Sequence, residues 1–342
     1  MKVVKIFLLG WLFLSILAVN NGVRAQQSTV GKPAPKPLFR DPIYDGAADP
    51  VVIWNKAKKR WFMFYTNRRA KDTVGGVAWV HGTRIGIAES KDGSSWRHLD
   101  TADIQYRPTA GYTHWAPEVI EHNGLYHMYL TYVPGVFTDW NHPRSILHLT
   151  SKNLLNWHYE STLKLASERV IDACVYHLPD GNWRMWYNNE RDHKSIYYAD
   201  SKDLYTWTDG KKAVADQGGE GPKVFDWKGK HWMITDVWRG LAIYSSDDLM
   251  NWSRQQGNIL QAPGSGIDDG VIGGHADVVV NKGRAYIFYF THPGRTTPPA
   301  ASQFDRQRSS IQIAELEYTD GKITCDRNAS TYISLKAPIN GR

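Results

Sequence analysis

Beyond residue 38 the chain alternates between short apolar runs rich in Val, Ile, Tyr, Phe and Trp and polar clusters of Gly, Asn, Asp, Ser and Pro. Runs of this length read as strands, because branched and flat side chains pack well on a pleated surface. They pair around short turns: 51–54 with 61–66, 119–121 with 126–132, 173–177 with 183–187, 223–226 with 231–235, and 278–280 with 285–290. Each pair predicts an antiparallel hairpin. No helical period separates them.

A third run follows each hairpin, at 84–88, 145–149, 195–199, 241–244 and 310–315, and the first four lead into the same marker. The markers are Ser90-Lys91-Asp92-Gly93-Ser94-Ser95-Trp96, Ser151-Lys152-Asn153-Leu154-Leu155-Asn156-Trp157, Ser201-Lys202-Asp203-Leu204-Tyr205-Thr206-Trp207 and Ser245-Ser246-Asp247-Asp248-Leu249-Met250-Asn251-Trp252. Ser, Asp and Asn bond to nearby backbone in tight turns, and a Trp opening the next strand lays a large apolar face on the sheet. The marker therefore predicts a fourth strand. Five such units predict an all-β fold, a five-bladed β-propeller with four antiparallel strands per blade over 38–342, preceded by a linker at 26–37. A β-sandwich with a small extra domain gives no reason for a fivefold repeat.

Composition narrows the class. Of the 342 residues 42% are hydrophobic, 13% aromatic and 22% charged, which excludes a disordered or collagen-like chain. The first 25 residues stand apart: Lys2 and Lys5 precede an apolar run from Ile6 to Val19, and Val23-Arg24-Ala25 places small residues where a signal peptidase cuts. This segment reads as a cleaved secretory signal rather than a membrane anchor, since the run falls short of the roughly 20 residues that span a bilayer. The mature chain is expected to be secreted or periplasmic, with no transmembrane segment. Removing the signal takes three bases and no acid from a formal net charge of +7, a balance too mild to imply nucleic-acid binding. Cys174 and Cys325 lie far apart in a chain long enough to bury a core unaided, and are expected as two free thiols.

In a propeller blade the innermost strand lines the central channel and successive strands reverse direction. The entry to strand one and the loop between strands two and three therefore share a face. At the five entries stand Asp49, Glu118, Asp172, Glu220, and His275 with Asp277. A carboxylate beside a packed channel is costly to desolvate unless it is paired, hydrated or used. Bonding to backbone at the rim explains one such acid more readily than a ring of them. Two carboxyl groups flanking a sugar can hydrolyse a glycosidic bond: one donates a proton to the leaving oxygen, and the other activates water or attacks carbon. A third acid nearby raises the donor's pKa by like-charge repulsion. The residue types alone do not assign these jobs.

The runs Asp45-Gly46-Ala47-Ala48-Asp49-Pro50, Thr113-His114-Trp115-Ala116-Pro117-Glu118-Val119, Val170-Ile171-Asp172, Gly219-Glu220-Gly221-Pro222-Lys223 and Gly274-His275 occur one per blade. In this order they resemble the five-bladed propeller glycosidases of glycoside hydrolase family 43 over essentially the whole mature chain. The resemblance implies Asp49 as general base, Asp172 as the acid that tunes and orients the donor, and Glu220 as general acid. It implies an inverting reaction, with base and donor roughly 6.5–9.5 Å apart. It also matches His275 to a histidine that in many members helps hold a hydrated calcium ion in the channel, although calcium prefers oxygen ligands. A proton donor or substrate contact is the alternative for His275. Ala173-Cys174 follows Asp172 where the family often has Pro and a bulky residue.

Substrate contacts are expected from the loops between strands two and three: Trp79 in 67–83, Trp140 in 134–144, Trp238 and Arg239 in 236–240, and Arg295 in 292–308. Trp115 and Glu118 join them from the entry of blade two. Aromatic faces stack on sugar rings, and Arg grips hydroxyls or carboxylates, so the basic loops also admit an acidic glycan. A short loop on blade four beside long ones on blades one, two and five implies a pocket, hence release of a terminal sugar from an oligosaccharide or polysaccharide. The resemblance ranks arabinofuranosyl first, then xylosyl and galactofuranosyl. A non-catalytic lectin-like propeller and a retaining propeller glycosidase or transferase are the competing readings.

Overall fold

The computed structural model describes residues 31–338 apart from position 109; the expected signal at 1–25 lies outside the described residues. Each of the five repeat units folds into its own antiparallel sheet. Their innermost strands are Ala47–Asn55, Thr113–His122, Val170–His177, Glu220–Trp227 and Gly274–Asn281. Each touches the inner strand of the next blade, and the fifth touches the first, so the ring closes. Blade two carries one strand more than expected, because Asp103–Ile104 adds in parallel to Asn156–Thr162. Among the described residues no helix is long and apolar enough to cross a membrane.

The unbroken apolar runs follow from this arrangement. In Arg60–Asn67, Phe62 and Phe64 pack toward blade two, while Met63 and Tyr65 pack toward blade five. Alternate residues of a strand point to opposite faces, so a sheet sandwiched between two others needs apolar residues at every position. Five apolar clusters result, one at each blade interface. Trp157 of the second marker is fully buried in one of them; truncating such a side chain to Ala costs roughly 3–5 kcal/mol.

The marker turns share one hydrogen-bond scheme. Ser90, Ser151, Ser201 and Ser246 each accept through Oγ from the backbone N–H three residues later, at Gly93, Leu154, Leu204 and Leu249. That later residue is left-handed in every case, with φ of 80°, 66°, 69° and 61°. Gly takes this conformation freely, whereas Leu does so at a cost offset by burying its side chain.

Part of the segment expected as a linker is paired, in a small sheet separate from the blades. Lys32–Pro33 pairs antiparallel with Tyr332–Ile333, and Phe39 bridges to Ile311 of blade five. These contacts tie the start of the described chain to its last blade. Both cysteines are free thiols, as expected.

Candidate active site

Asp49, Ala116, Asp172 and Gly221 occupy one register position near the start of the first four inner strands, and each has a left-handed backbone, with φ of 52°, 38°, 59° and 56°. The ladder slips at each of these points. Such a bulge inserts a residue, bends the strand and re-aims a side chain. At Asp49 and Asp172 it turns a carboxyl group into the mouth of the channel. The amides freed by the bulges bond to the preceding blade: Ala116 N–H donates to Thr66 Oγ1 at 2.8 Å, Asp172 N–H to Thr131 Oγ1 at 3.0 Å, and His275 N–H to Asp236 Oδ2 at 2.9 Å.

Asp49, Asp172 and Glu220 line one cavity of about 590 Å³ at this mouth. Between the first two sits the His275 imidazole, its Nδ1 3.8 Å from Asp49 Oδ1 and 3.8 Å from Asp172 Oδ2. Gly221 makes room for that ring, since a Cβ there would lie 2.5 Å from it. Gly221 N–H also donates to Asp172 Oδ2 at 3.1 Å.

The three acids have different surroundings. Arg68 Nη2 donates to both oxygens of Asp49, at 3.1 and 3.2 Å, a charge-assisted pairing that fixes the group's orientation. Arg68 is itself held: Nη1 donates to His292 Nε2 at 2.8 Å, and the guanidinium lies 4.6 Å from the centre of the Phe290 ring. Because His292 Nδ1 donates to the Arg308 carbonyl at 2.9 Å, Nε2 carries no proton and is free to accept. Burial also pushes the His292 pKa well down, keeping the imidazole neutral.

Among the described residues no Lys or Arg lies within ion-pair distance of Asp172, and burial, then the charges of Glu220 and Asp49, raise its pKa well above the usual carboxylate range. Burial raises the Glu220 pKa as well, opposed by Lys194 and reinforced by Asp49. Lys194 Nζ stands 3.7 Å from Glu220 Oε2, and Trp238 Nε1 donates to Glu220 Oε1 at 3.3 Å. Asp236, accepting from the backbone N–H groups of Trp238 and His275, is raised to about 7, chiefly by burial and then by Glu220. Thus the site holds one carboxyl group clamped by Arg68 and three others, Asp172, Glu220 and Asp236, whose pKa values are raised.

A carboxyl whose folded pKa is raised stabilises the fold below its unfolded pKa of about 4, and that contribution is lost as pH climbs through the folded value. Asp172→Asn keeps the shape, an acceptor for Gly221 N–H and a side chain that tolerates the left-handed backbone. Its Tm should exceed that of the wild type by roughly 2–5 °C at pH 8, the gap closing toward pH 4. Thermal melts across that range check it.

Of the expected substrate contacts, Trp79, Trp115, Trp140, Trp238 and Arg295 line the cavity. Trp140 and Trp238 are 50% and 43% exposed, as platforms at a rim would be. Trp115 is instead a buried wall, its Nε1 donating to the Val80 carbonyl at 2.6 Å. Two expected contacts lie elsewhere. Arg239 is exposed and does not line the cavity, because it follows Trp238 in a tight turn where neighbouring side chains diverge. Lys194 of blade three takes the place beside Glu220. Glu118 stands two residues beyond the bulge position, so it points down the channel, where its Oε2 accepts from Lys223 Nζ at 2.8 Å.

Several lining groups escaped the sequence reading. Arg144 and Lys194 pair with Glu190 at 3.0 and 3.2 Å on the blade-three wall, with Arg169 3.6 Å away. The register of Thr66, Thr131 and Asp236 at strand ends was the available clue to Asp236.

The residues of the channel do not suit a calcium ion. Among the described residues no three His, Cys, Asp or Glu side chains converge as a metal site. Below His275, the carboxylates that would serve as oxygen donors, Glu118 and Asp277, are both taken by the Lys223 ammonium, at 2.8 and 3.0 Å.

Comparison with known proteins adds three findings. The family model described as glycosyl hydrolases family 43 matches residues 39–323. No curated protein matches the chain. Among solved structures, the chain is similar to a thermostable family-43 glycoside hydrolase, at 19% identity and a TM-score of 0.64, covering 89% of this chain and 98% of that one. It is also similar to a β-xylosidase/α-arabinofuranosidase from a compost microbial metagenome, solved with xylotriose in a calcium-free form, at 15% identity, a TM-score of 0.62, and 85% and 97% coverage. A β-fructofuranosidase of family 32 from Bombyx mori shares the fold at 16% identity and a TM-score of 0.63, over 82% of this chain and 62% of that one.

Proposed function

Because the chain belongs to family 43 of the glycosyl hydrolases and is a glycoside hydrolase, we propose that it is an inverting, exo-acting enzyme that removes a terminal arabinofuranosyl or xylosyl unit from a plant-type oligosaccharide. Galactofuranosyl is the third choice of leaving unit. The observation that carries this reading is the convergence of Asp49, Asp172 and Glu220 on one cavity walled by residues of all five blades. Such a cavity accepts a chain end more readily than the middle of a chain.

In this mechanism Asp49, held in place by Arg68, takes a proton from the attacking water as it approaches the anomeric carbon. Glu220, its pKa raised by burial and by the Asp49 charge against the pull of Lys194, gives its proton to the leaving oxygen on the other side. Asp172, its own pKa raised by burial and by the Glu220 and Asp49 charges, fixes the loop by accepting from Gly221 N–H. Trp140 and Trp238 offer faces for the sugar beyond the scissile bond. Arg295, without a carboxylate partner among the described residues, offers a cation to hydroxyls or an acidic group at the rim. Action outside the cytoplasm follows if residues 1–25 are the signal their composition suggests.

An anomer-resolved NMR time course on a panel of aryl glycosides and natural oligosaccharides tests the reading. The first product should be a monosaccharide of inverted configuration. Retention would place the chemistry with the retaining propeller enzymes, and internal fragments would overturn exo action.

A further inference from the structure

One step below the site, two residues along the inner strands from Asp49, Ala116, Asp172, Gly221 and His275, stand Val51, Glu118, Cys174, Lys223 and Asp277. Three of these carry charge and come from three different blades. Their side chains are 3%, 4% and 1% exposed for Glu118, Lys223 and Asp277. Lys223 Nζ reaches Glu118 Oε2 at 2.8 Å and Asp277 Oδ1 at 3.0 Å. The remaining oxygens accept from backbone of two further blades: Asp277 Oδ2 from Val52 N–H at 2.7 Å, and Glu118 Oε1 from Val175 N–H at 3.4 Å. Every blade thus touches a belt built around one ammonium.

Two buried carboxylates facing each other across a channel are unfavourable without a cation between them. A divalent ion with oxygen ligands is one solution. This chain carries another on blade four. Bringing calcium into the same space would set it against the ammonium and deprive it of both donors.

We propose that the Lys223 ammonium is the resident cation of the central channel, taking the part a bound divalent ion would play in holding blades two, four and five around the site. The belt stands directly beneath His275, whose ring keeps Asp49 and Asp172 apart, so Lys223 is a positioning residue for that pair. Folding and turnover then require no metal, and the two carboxylates become a cation site only when the ammonium is removed.

The test uses the full mature chain, stripped with EDTA, with calcium chloride as the probe. Wild-type Tm and kcat/KM should be the same in EDTA and in millimolar calcium, and calorimetry should show no calcium binding. Lys223→Ala should lower Tm by roughly 5–10 °C, and calcium should restore part of that loss. Stoichiometric calcium binding by the wild type, or its inactivation by EDTA with recovery on calcium, overturns the proposal. So does a folded Lys223→Ala variant indifferent to calcium. If that variant does not fold, the pair Glu118→Gln with Lys223→Met, which removes two charges together, should fold and show no response to calcium. A calcium-dependent Tm in that pair would equally overturn the assignment. None of these readouts except kcat/KM depends on the substrate or stereochemistry proposed above.

Discussion

Asp49→Asn should lower kcat/KM by roughly 10²–10⁴-fold on every substrate, whatever its leaving group. In the proposed mechanism the carboxyl that Arg68 clamps receives a proton from water, and an amide cannot receive it. The choice of Asn separates chemistry from strain. With φ of 52° at this position, Ala would add a backbone penalty that Asn largely escapes. Steady-state kinetics with one poor and one good leaving group check the prediction. A loss confined to the poor leaving group would identify Asp49 as donor instead of base.

Glu220→Gln should show the opposite selectivity. On natural oligosaccharides the loss should again be roughly 10²–10⁴-fold, but dinitrophenyl glycosides, whose leaving group departs without a proton, should lose no more than about tenfold. The pH profile carries a second signature. If Glu220 is the donor proposed above, its raised pKa should carry activity above the usual carboxylate range, and activity should fall as pH rises through it. The alkaline limb of the wild-type profile should therefore vanish from the variant assayed on the activated substrate. If sugar binds but neither protein cleaves any substrate, a carbohydrate-binding propeller replaces the hydrolase.

Much of this architecture was legible because it rests on local rules. The turn markers need only Ser, Asp or Asn bonding to backbone within a few residues, and the Ser Oγ contacts to Gly93, Leu154, Leu204 and Leu249 obey that rule blade after blade. The three acids were legible as one per blade at strand entries. Their neighbours were not. Arg68 follows Asp49 by a whole hairpin, and the acceptor that fixes it, His292, comes from the opposite end of the chain. Lys194 reaches Glu220 from the preceding blade, a contact that no spacing encodes.

Glu118 shows most clearly where counting along the chain ends. It stands at a strand entry like Asp49, Asp172 and Glu220, yet the bulge at Ala116 turns one residue out of the ladder and leaves Glu118 two positions further down, against Lys223. Sequence by itself determined the number of blades, their strand order and which ends of which strands carry acids, because turns and strand periodicity are short-range. Only the closed ring decided which acid is clamped, which is kept protonated and which is consumed in holding the channel. Charge, burial and distance across the axis set those roles, and they exist only once the fifth blade meets the first.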